Sequence, residues 1–250
     1  MRREGNIGVA PRDLYIFIIM GLIGVTLLEV LTMYSIHYTT LANASLLSVA
    51  PWPIFAALFA PLFVKEKLTL RVVVGGTLAL IGVVFIISGG EQSLDFNSKY
   101  MMGNFLALSV SAMGAIYNLL IVRLMKKYSV LRVTTWAILF GTLFMFPLTW
   151  GQWSQIQWSD VPLMAWGSVV YNFVMCTIVA FIVWNLCMKY VGATKANFYR
   201  YLTPATATVA GALFFNESIA LLQIVGAIII VIGLIWISRD KLSASGTEQT

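Results

Sequence analysis

The stretch Pro53-Ile-Phe-Ala-Ala-Leu-Phe-Ala-Pro-Leu-Phe-Val-Lys-Glu66 returns 151 residues later as Pro204-Ala-Thr-Ala-Thr-Val-Ala-Gly-Ala-Leu-Phe-Phe-Asn-Glu217. Each copy predicts a proline-bearing helix, a tight turn that ends in glutamate, and a following helix with two glycines on one face. Those glycines would let a neighbouring backbone approach closely, and the glutamates would cap helix starts. We predict a structural role for the residues that share this offset, which are Pro53, Glu66, Gly75, Gly82, Pro204, Glu217, Gly226 and Gly233.

The composition of the chain indicates that lipid, not water, surrounds most of it. Of its 250 residues, 60% are hydrophobic and only 10% are charged, and the mean hydropathy is +0.87. A soluble domain carries about 25% charged residues, so a soluble enzyme, a disordered protein and a disulfide scaffold are all excluded. The net charge of +6 is spread over short loops, which is not the pattern of a nucleic-acid-binding face.

Eight apolar runs are long enough to cross a bilayer, which needs about 20 residues of helix. All lysines and arginines except Lys99 fall on one side of these runs, together with both termini. The excess of positive charge predicts that this side is cytoplasmic. The predicted spans cover residues 14–34, 41–64, 72–88, 101–122, 133–150, 162–188, 196–215 and 219–237.

The two copies of the repeat are predicted to lie upside down relative to each other. An odd number of spans separates equivalent points, so the Glu66 turn is on the basic side and the Glu217 turn on the other. Inverted repeats of this kind are typical of secondary transporters. We expect a first repeat of three helices within 1–90, a second of five helices within 101–239, and a cytoplasmic tail at 240–250.

Several motifs together resemble the EamA-type members of the drug/metabolite transporter superfamily. They are Ala42-Asn-Ala-Ser-Leu-Leu-Ser with Pro53 and Glu66, Gly192-Ala-Thr-Lys-Ala-Asn with Pro204 and Glu217, the two glycine pairs, and Gly103-Asn-Phe-Leu-Ala-Leu. The resemblance extends over residues 14–239 and implies two inverted five-helix repeats around a central cavity. It also implies transport of small organic solutes, frequently outward. Against that ten-helix pattern, the first two helices are expected to be absent here.

Two charged residues lie inside predicted spans, where a charge is costly and marks a functional candidate. Glu29 has no basic residue three or four positions away, so it is interpreted either as a coupling or substrate-binding carboxyl or as a protonated group within the bundle. Arg200, flanked by Tyr199 and Tyr201, has two interpretations as well. It could snorkel to cytoplasmic headgroups, or it could bind a carboxylate or phosphate.

Two Tyr-Asn pairs inside spans complete the candidate site residues. Tyr117 with Asn118, and Tyr171 with Asn172, could join helices or contact a ligand. The substrate-binding or coupling candidates are therefore Glu29, Tyr117, Asn118, Tyr171, Asn172, Tyr199 and Arg200. We expect no catalytic residue, no metal site and no cofactor, because Walker, zinc-ligand and nucleophile-elbow motifs are absent from the sequence.

The sequence predicts an all-α polytopic membrane protein that is not an enzyme. Its expected function is alternating-access transport of small metabolites across the cell membrane, and export is the expected direction. The expected partners are a small-molecule solute and the lipid bilayer, without nucleic acid. One alternative is left open: a truncated or partner-dependent membrane subunit without transport activity of its own. In that case a homodimer or a partner chain would supply the missing helices.

Overall fold

The fold is a bundle of long, antiparallel helices, seen in a computed structural model that describes residues 8–64, 69–89, 94–95, 97–215 and 218–239. No β-strand occurs in these described ranges. Seven of the helices are long and apolar enough to cross a membrane. These are α1 (Pro11–Tyr38), α2 (Leu41–Phe63), α3 (Leu70–Ser88), α4 (Ser98–Met125), α5 (Val130–Trp153), α6 (Leu163–Val191) and α8 (Leu221–Ser238).

The remaining predicted span, α7, covers residues 193–215 and consists of three consecutive pieces. They are an α-helix at Ala193–Phe198, a 3₁₀ turn at Tyr199–Tyr201 and an α-helix at Leu202–Phe215. The change to tighter 3₁₀ geometry falls at Arg200, next to the point where α7 meets α2. The helices run a few residues beyond the predicted spans at most ends, because polar end residues such as Arg12 and Asp13 are also helical.

Local sequence explains where the helices begin. Thr40, Thr69 and Ser129 precede α2, α3 and α5, and each side-chain oxygen accepts a hydrogen bond from the backbone amide three residues later. Such N-caps satisfy donors that would otherwise be unpaired at a helix start. Between these ends the chain has no water to bond in the bilayer, so only helices satisfy its backbone groups.

Helices α3 and α8 pack so closely that their glycines cannot carry side chains. A methyl group at Gly82 would come 2.5 Å from the Gly226 carbonyl oxygen, and one at Gly75 would come 2.6 Å from that of Gly233. The two contacts are related by the 151-residue offset of the sequence repeat. The close approach is the packing mode that lipid-embedded helices use.

Helices α2 and α7 cross at a pair of residues that also obey this offset. The Tyr201 hydroxyl donates a hydrogen bond of 2.5 Å to the Ala50 carbonyl oxygen, and the two positions are 151 residues apart. Helix α2 is interrupted here, since its first part ends at Val49 and its second part begins at Trp52. The broken turn frees the Ala50 carbonyl to accept the bond, in keeping with the inability of Pro51 to continue a helix.

Helices α1 and α6 share an unusual turn at corresponding places. Each changes to π-helix midway, at Leu22–Leu27 in α1 and at Asn172–Val179 in α6. In α1 this turn is packed against α5, where the Thr26 hydroxyl donates a 3.0 Å hydrogen bond to the Gly141 carbonyl. In α6 the turn is exposed.

Polar contacts hold the two ends of the bundle. At one end, Asn43 is fully buried and bonds both the backbone of Asp95 and the side chain of Asn104, which joins α2 to α4. At the other end, the Asp13 carboxylate accepts hydrogen bonds from Lys127 and Tyr128. The bond to Asp13 raises the pKa of the exposed Lys127 ammonium.

Candidate functional site

The crossing of α2 and α7 separates two different environments. On one side lies a cavity of about 670 Å³ that also reaches α3 and α8. Its wall includes small and polar side chains, among them Ser45 of α2, Thr203 and Thr208 of α7, and Gln223 of α8. A cleft of this size and mixed polarity matches sites that hold small organic molecules.

On the other side of the crossing, Arg200 lies over an aromatic surface. Its guanidinium carbon is 3.8 Å from the centre of the Trp52 ring and 5.6 Å from that of Trp184. The cluster therefore joins α2, α6 and α7. Stacking on indole stabilises a guanidinium, because the negative face of the ring attracts the cation.

The position of Trp52 indicates where Arg200 lies along the bundle. Trp52 is the central residue of α2, eleven residues from each end of Leu41–Phe63. A guanidinium stacked on this ring lies at mid-span, well away from either end of the bundle. Snorkelling to headgroups would need the guanidinium to reach a helix end, and both interpretations of Arg200 stay predictions.

Two donors of this cluster are buried without a hydrogen-bond partner in the described part of the chain. They are the Arg200 Nε and the Trp52 Nε1. Leaving such a donor unpaired costs about 1–3 kcal/mol, and more for a charged group. The cluster therefore holds two buried donors that no described acceptor satisfies.

A second polar group lies one turn away on α7. The Asn118 amide of α4 donates a 2.7 Å hydrogen bond to Asn197 Oδ1, and the Asn197 amide donates to the Ala193 carbonyl. Both asparagines are buried. Tyr117 is buried as well, and its hydroxyl has no hydrogen-bond partner among the described residues.

Helix α4 holds the tryptophan in place. A methyl group at Gly114 would collide with the Trp52 ring, so the absent side chain makes the room that the indole fills. The ring is buried among Ala56, Val110 and Ala115. Trp52 is thus a rigid platform for the guanidinium.

The structure brings together only some of the predicted site residues. Asn118 of α4 bonds Asn197, which lies one turn before Arg200 on α7, and Tyr199 is half-buried next to Arg200. Glu29 is exposed on α1 and makes no hydrogen bond or ion pair with any described residue. Tyr171 and Asn172 are exposed on α6, where the Asn172 amide donates to the Ser168 carbonyl. The roles of all these residues stay predictions, and Glu66 and Glu217 lie outside the described residues.

Three residues at or next to this cluster, Trp52, Trp184 and Asn197, were not among the predicted candidates. Trp52 and Trp184 look like ordinary apolar span residues in sequence, and a tryptophan near a helix end is usually an interfacial residue. Asn197 is polar within an apolar run, which is a usable signal. Its partnership with Asn118 depends on how α4 packs against α7.

A bundle of seven membrane-crossing helices with polar groups at its centre is typical of multi-pass membrane transporters. The sequence pattern of the EamA-like transporter family matches residues 2–88 and 101–239. The chain therefore belongs to the EamA-like transporter family, which confirms the resemblance seen in the sequence.

Relatives and a solved structure agree with this assignment. The chain is 24% identical over 238 residues to the uncharacterized transporter YetK of Bacillus subtilis, covering 95% of this chain and 72% of the relative. It is 25% identical over 242 residues to the "Probable terminal-alkyne amino-acid exporter" of Streptantibioticus cattleyicolor, covering 95% and 78%. A solved crystal structure has the same fold, with a TM-score of 0.79, 18% identity and coverage of 94% of this chain and 79% of that one.

Proposed function

We propose that the protein is a secondary transporter that exports small organic metabolites across the cell membrane by alternating access at the crossing of α2 and α7. The single observation that carries this proposal is the arrangement at that crossing. A 670 Å³ cavity lies on one side of the Tyr201–Ala50 contact, and the half-buried Arg200, whose Nε has no hydrogen-bond partner among the described residues, lies on the other. Family membership in the transporters supports it.

The predicted orientation assigns a direction to the two sides. Arg71 and Arg239 lie at the ends of α3 and α8 that are remote from the cavity, and the Arg71 side chain donates to the Arg239 carbonyl. If these basic ends face the cytoplasm, as the charge pattern predicts, the cavity opens outward. A solute would leave the Arg200 side, pass the crossing and be released through the cavity.

Amino acids are the proposed substrates to test first. One relative carries the name of an amino-acid exporter, and a small amino acid fits within the cavity volume. A central cation next to tryptophan rings suits a solute that has both an anionic and an apolar part. We therefore propose apolar amino acids such as leucine.

The test is the flux of radiolabelled L-leucine from proteoliposomes that contain the purified chain. We expect efflux above that of protein-free vesicles, and we expect Thr208→Trp to reduce it by filling the cavity. Ser154→Trp is the matched control, because Ser154 is exposed after α5 and remote from the cavity. Efflux equal to protein-free vesicles from a folded wild-type chain would contradict the proposal and favour the partner-dependent subunit.

A further inference from the structure

We infer that Arg200, Trp52 and Trp184 form a carboxylate-binding subsite, specific for small monocarboxylates that carry an apolar body. This inference rests on the proposed function, because it names the part of the solute that the central site recognises. It adds two tryptophans that recognise the solute together with the arginine. The reasons concern charge, donor geometry and the apolar surroundings.

No described carboxylate forms an ion pair with Arg200. Among the described residues the one salt bridge joins Lys127 to Asp13, at the end of the bundle. Glu29, on α1, makes no ion pair with Arg200. A lone cation at mid-span is expensive and is usually matched by an anion. No described side chain supplies that anion, and we assign the role to the carboxylate of a bound solute.

The donor geometry suits a carboxylate. A guanidinium presents planar N–H edges that bind the two oxygens of a carboxylate side by side. The Arg200 guanidinium carbon lies over the Trp52 ring, 3.8 Å from its centre, so the ring covers one side of the group and leaves the others for binding. The buried Trp52 Nε1 belongs to the same cluster and is another donor without a partner in the described chain.

The surroundings favour a single negative charge attached to an apolar group. Among the described residues, Arg200 is the one charged group over these two rings, and its single positive charge balances one carboxylate and not a doubly charged phosphate. The half-buried Trp184 ring adds an apolar wall that a hydrocarbon chain could cover. We therefore assign monocarboxylates, and phosphate esters become an outcome of the test.

The experiment measures thermal unfolding of the purified full chain in detergent with a matched pair of probes. These are 4-methylpentanoate and 4-methylpentanamide, which share one hydrocarbon body and differ in charge. We expect the carboxylate, and not the amide, to raise the unfolding temperature in a saturable way. An equal response to both, no response to the carboxylate, or a stronger response to isobutyl phosphate would overturn the inference.

Variants separate recognition from a structural role. Arg200→Gln should raise the half-saturating concentration of 4-methylpentanoate by about tenfold or more, as expected for losing a charged hydrogen bond. Arg200→Lys keeps the charge without the planar edge, so we expect a smaller loss of affinity for 4-methylpentanoate. This variant replaces Arg200→Gln in the test if the glutamine variant does not fold. Trp52→Phe keeps an aromatic ring and removes the N–H, with an expected loss of about threefold.

The matched control is Arg123→Gln, which removes one positive charge at an exposed position on α4. Its response to the carboxylate should equal that of the wild type. If Arg200→Gln and Arg123→Gln respond alike while both are folded, Arg200 has only a structural role. L-leucine flux without any carboxylate response would leave the proposed transport standing and overturn the subsite alone. A carboxylate response without flux would do the reverse.

Discussion

The two sides of the α2–α7 crossing are equivalent in the sequence repeat and opposite in structure. Thr203 and Ala207 line the cavity, whereas their counterparts Trp52 and Ala56 are 6% and 0% exposed. The filled side is covered by α4, whose Gly114 receives the Trp52 ring. No described element covers the open side in the same way.

The comparison teaches that a duplicated backbone can carry different chemistry on its two sides. Arg200 stands where the other copy has Val49, and Trp52 stands where the other copy has Thr203. The offset preserves helices and glycine contacts, yet the charge and the aromatic platform occur once. We therefore propose that the solute is recognised on the Arg200 side of the crossing and passes through the open cavity on the other side.

The largest expected effect comes from breaking the filled side. Gly114→Leu would drive a side chain into the rigid Trp52 ring, so we expect the free energy of unfolding to fall by about 1–3 kcal/mol. Thermal unfolding in detergent measures this change. Gly151→Leu is the control, because no atom lies within 4 Å of the position where its side chain would begin. Equal stability of the two variants would show that α4 does not fill this side.

A smaller effect is expected at the boundary between the two sides. Tyr201→Phe removes the hydroxyl that bonds the Ala50 carbonyl and leaves the buried ring in place. We expect a loss of about 1 kcal/mol in the free energy of unfolding, the usual contribution of one hydrogen bond. The same unfolding assay detects it. Unchanged stability combined with unchanged leucine flux would show that the Tyr201 hydroxyl contributes neither to the fold nor to transport.

The smallest expected effect on stability is on the open side, where one substitution gives both sides the same residue type at equivalent positions. Thr203→Trp places in the cavity wall the residue type that its counterpart already has. Because Thr203 is exposed, we expect a change in unfolding free energy within about 0.5 kcal/mol. Leucine flux should nevertheless fall severalfold, as the indole occupies the cavity. A folded variant with normal flux would show that solutes do not use this cavity.

Sequence reasoning predicts the scaffold well, because lipid imposes simple rules on it. Long apolar runs, a one-sided distribution of lysine and arginine, and a gap-free repeat suffice to predict an all-α membrane bundle of the family. Helix ends are less well predicted, since Asp13 and other polar residues extend the helices beyond their apolar cores. Helix α7 was predicted as one continuous span, and its 3₁₀ turn at Tyr199–Tyr201 has no clear sequence signal.

The site is only partly predictable because its members come from different helices. Arg200 is identifiable as a charge within a span, but its depth depends on Trp52, which lies far away in sequence. The place of Asn118 in the site likewise depends on its hydrogen bond to Asn197, on another helix. By contrast, Asn172 has the same residue type as Asn118 and bonds only its own helix. Which face of a helix points inward is a property of packing, and composition alone does not determine it.

The paired π turns affect any experiment that substitutes successive residues of α1 or α6. A π turn takes up an extra residue, so every side chain after it is set back by about 100° around the helix axis relative to an unbroken α-helix. Positions before Leu22 and after Leu27 therefore follow two different phases, and the same jump occurs across Asn172–Val179. Cysteine scans and cross-links should be planned with one phase for each half-helix.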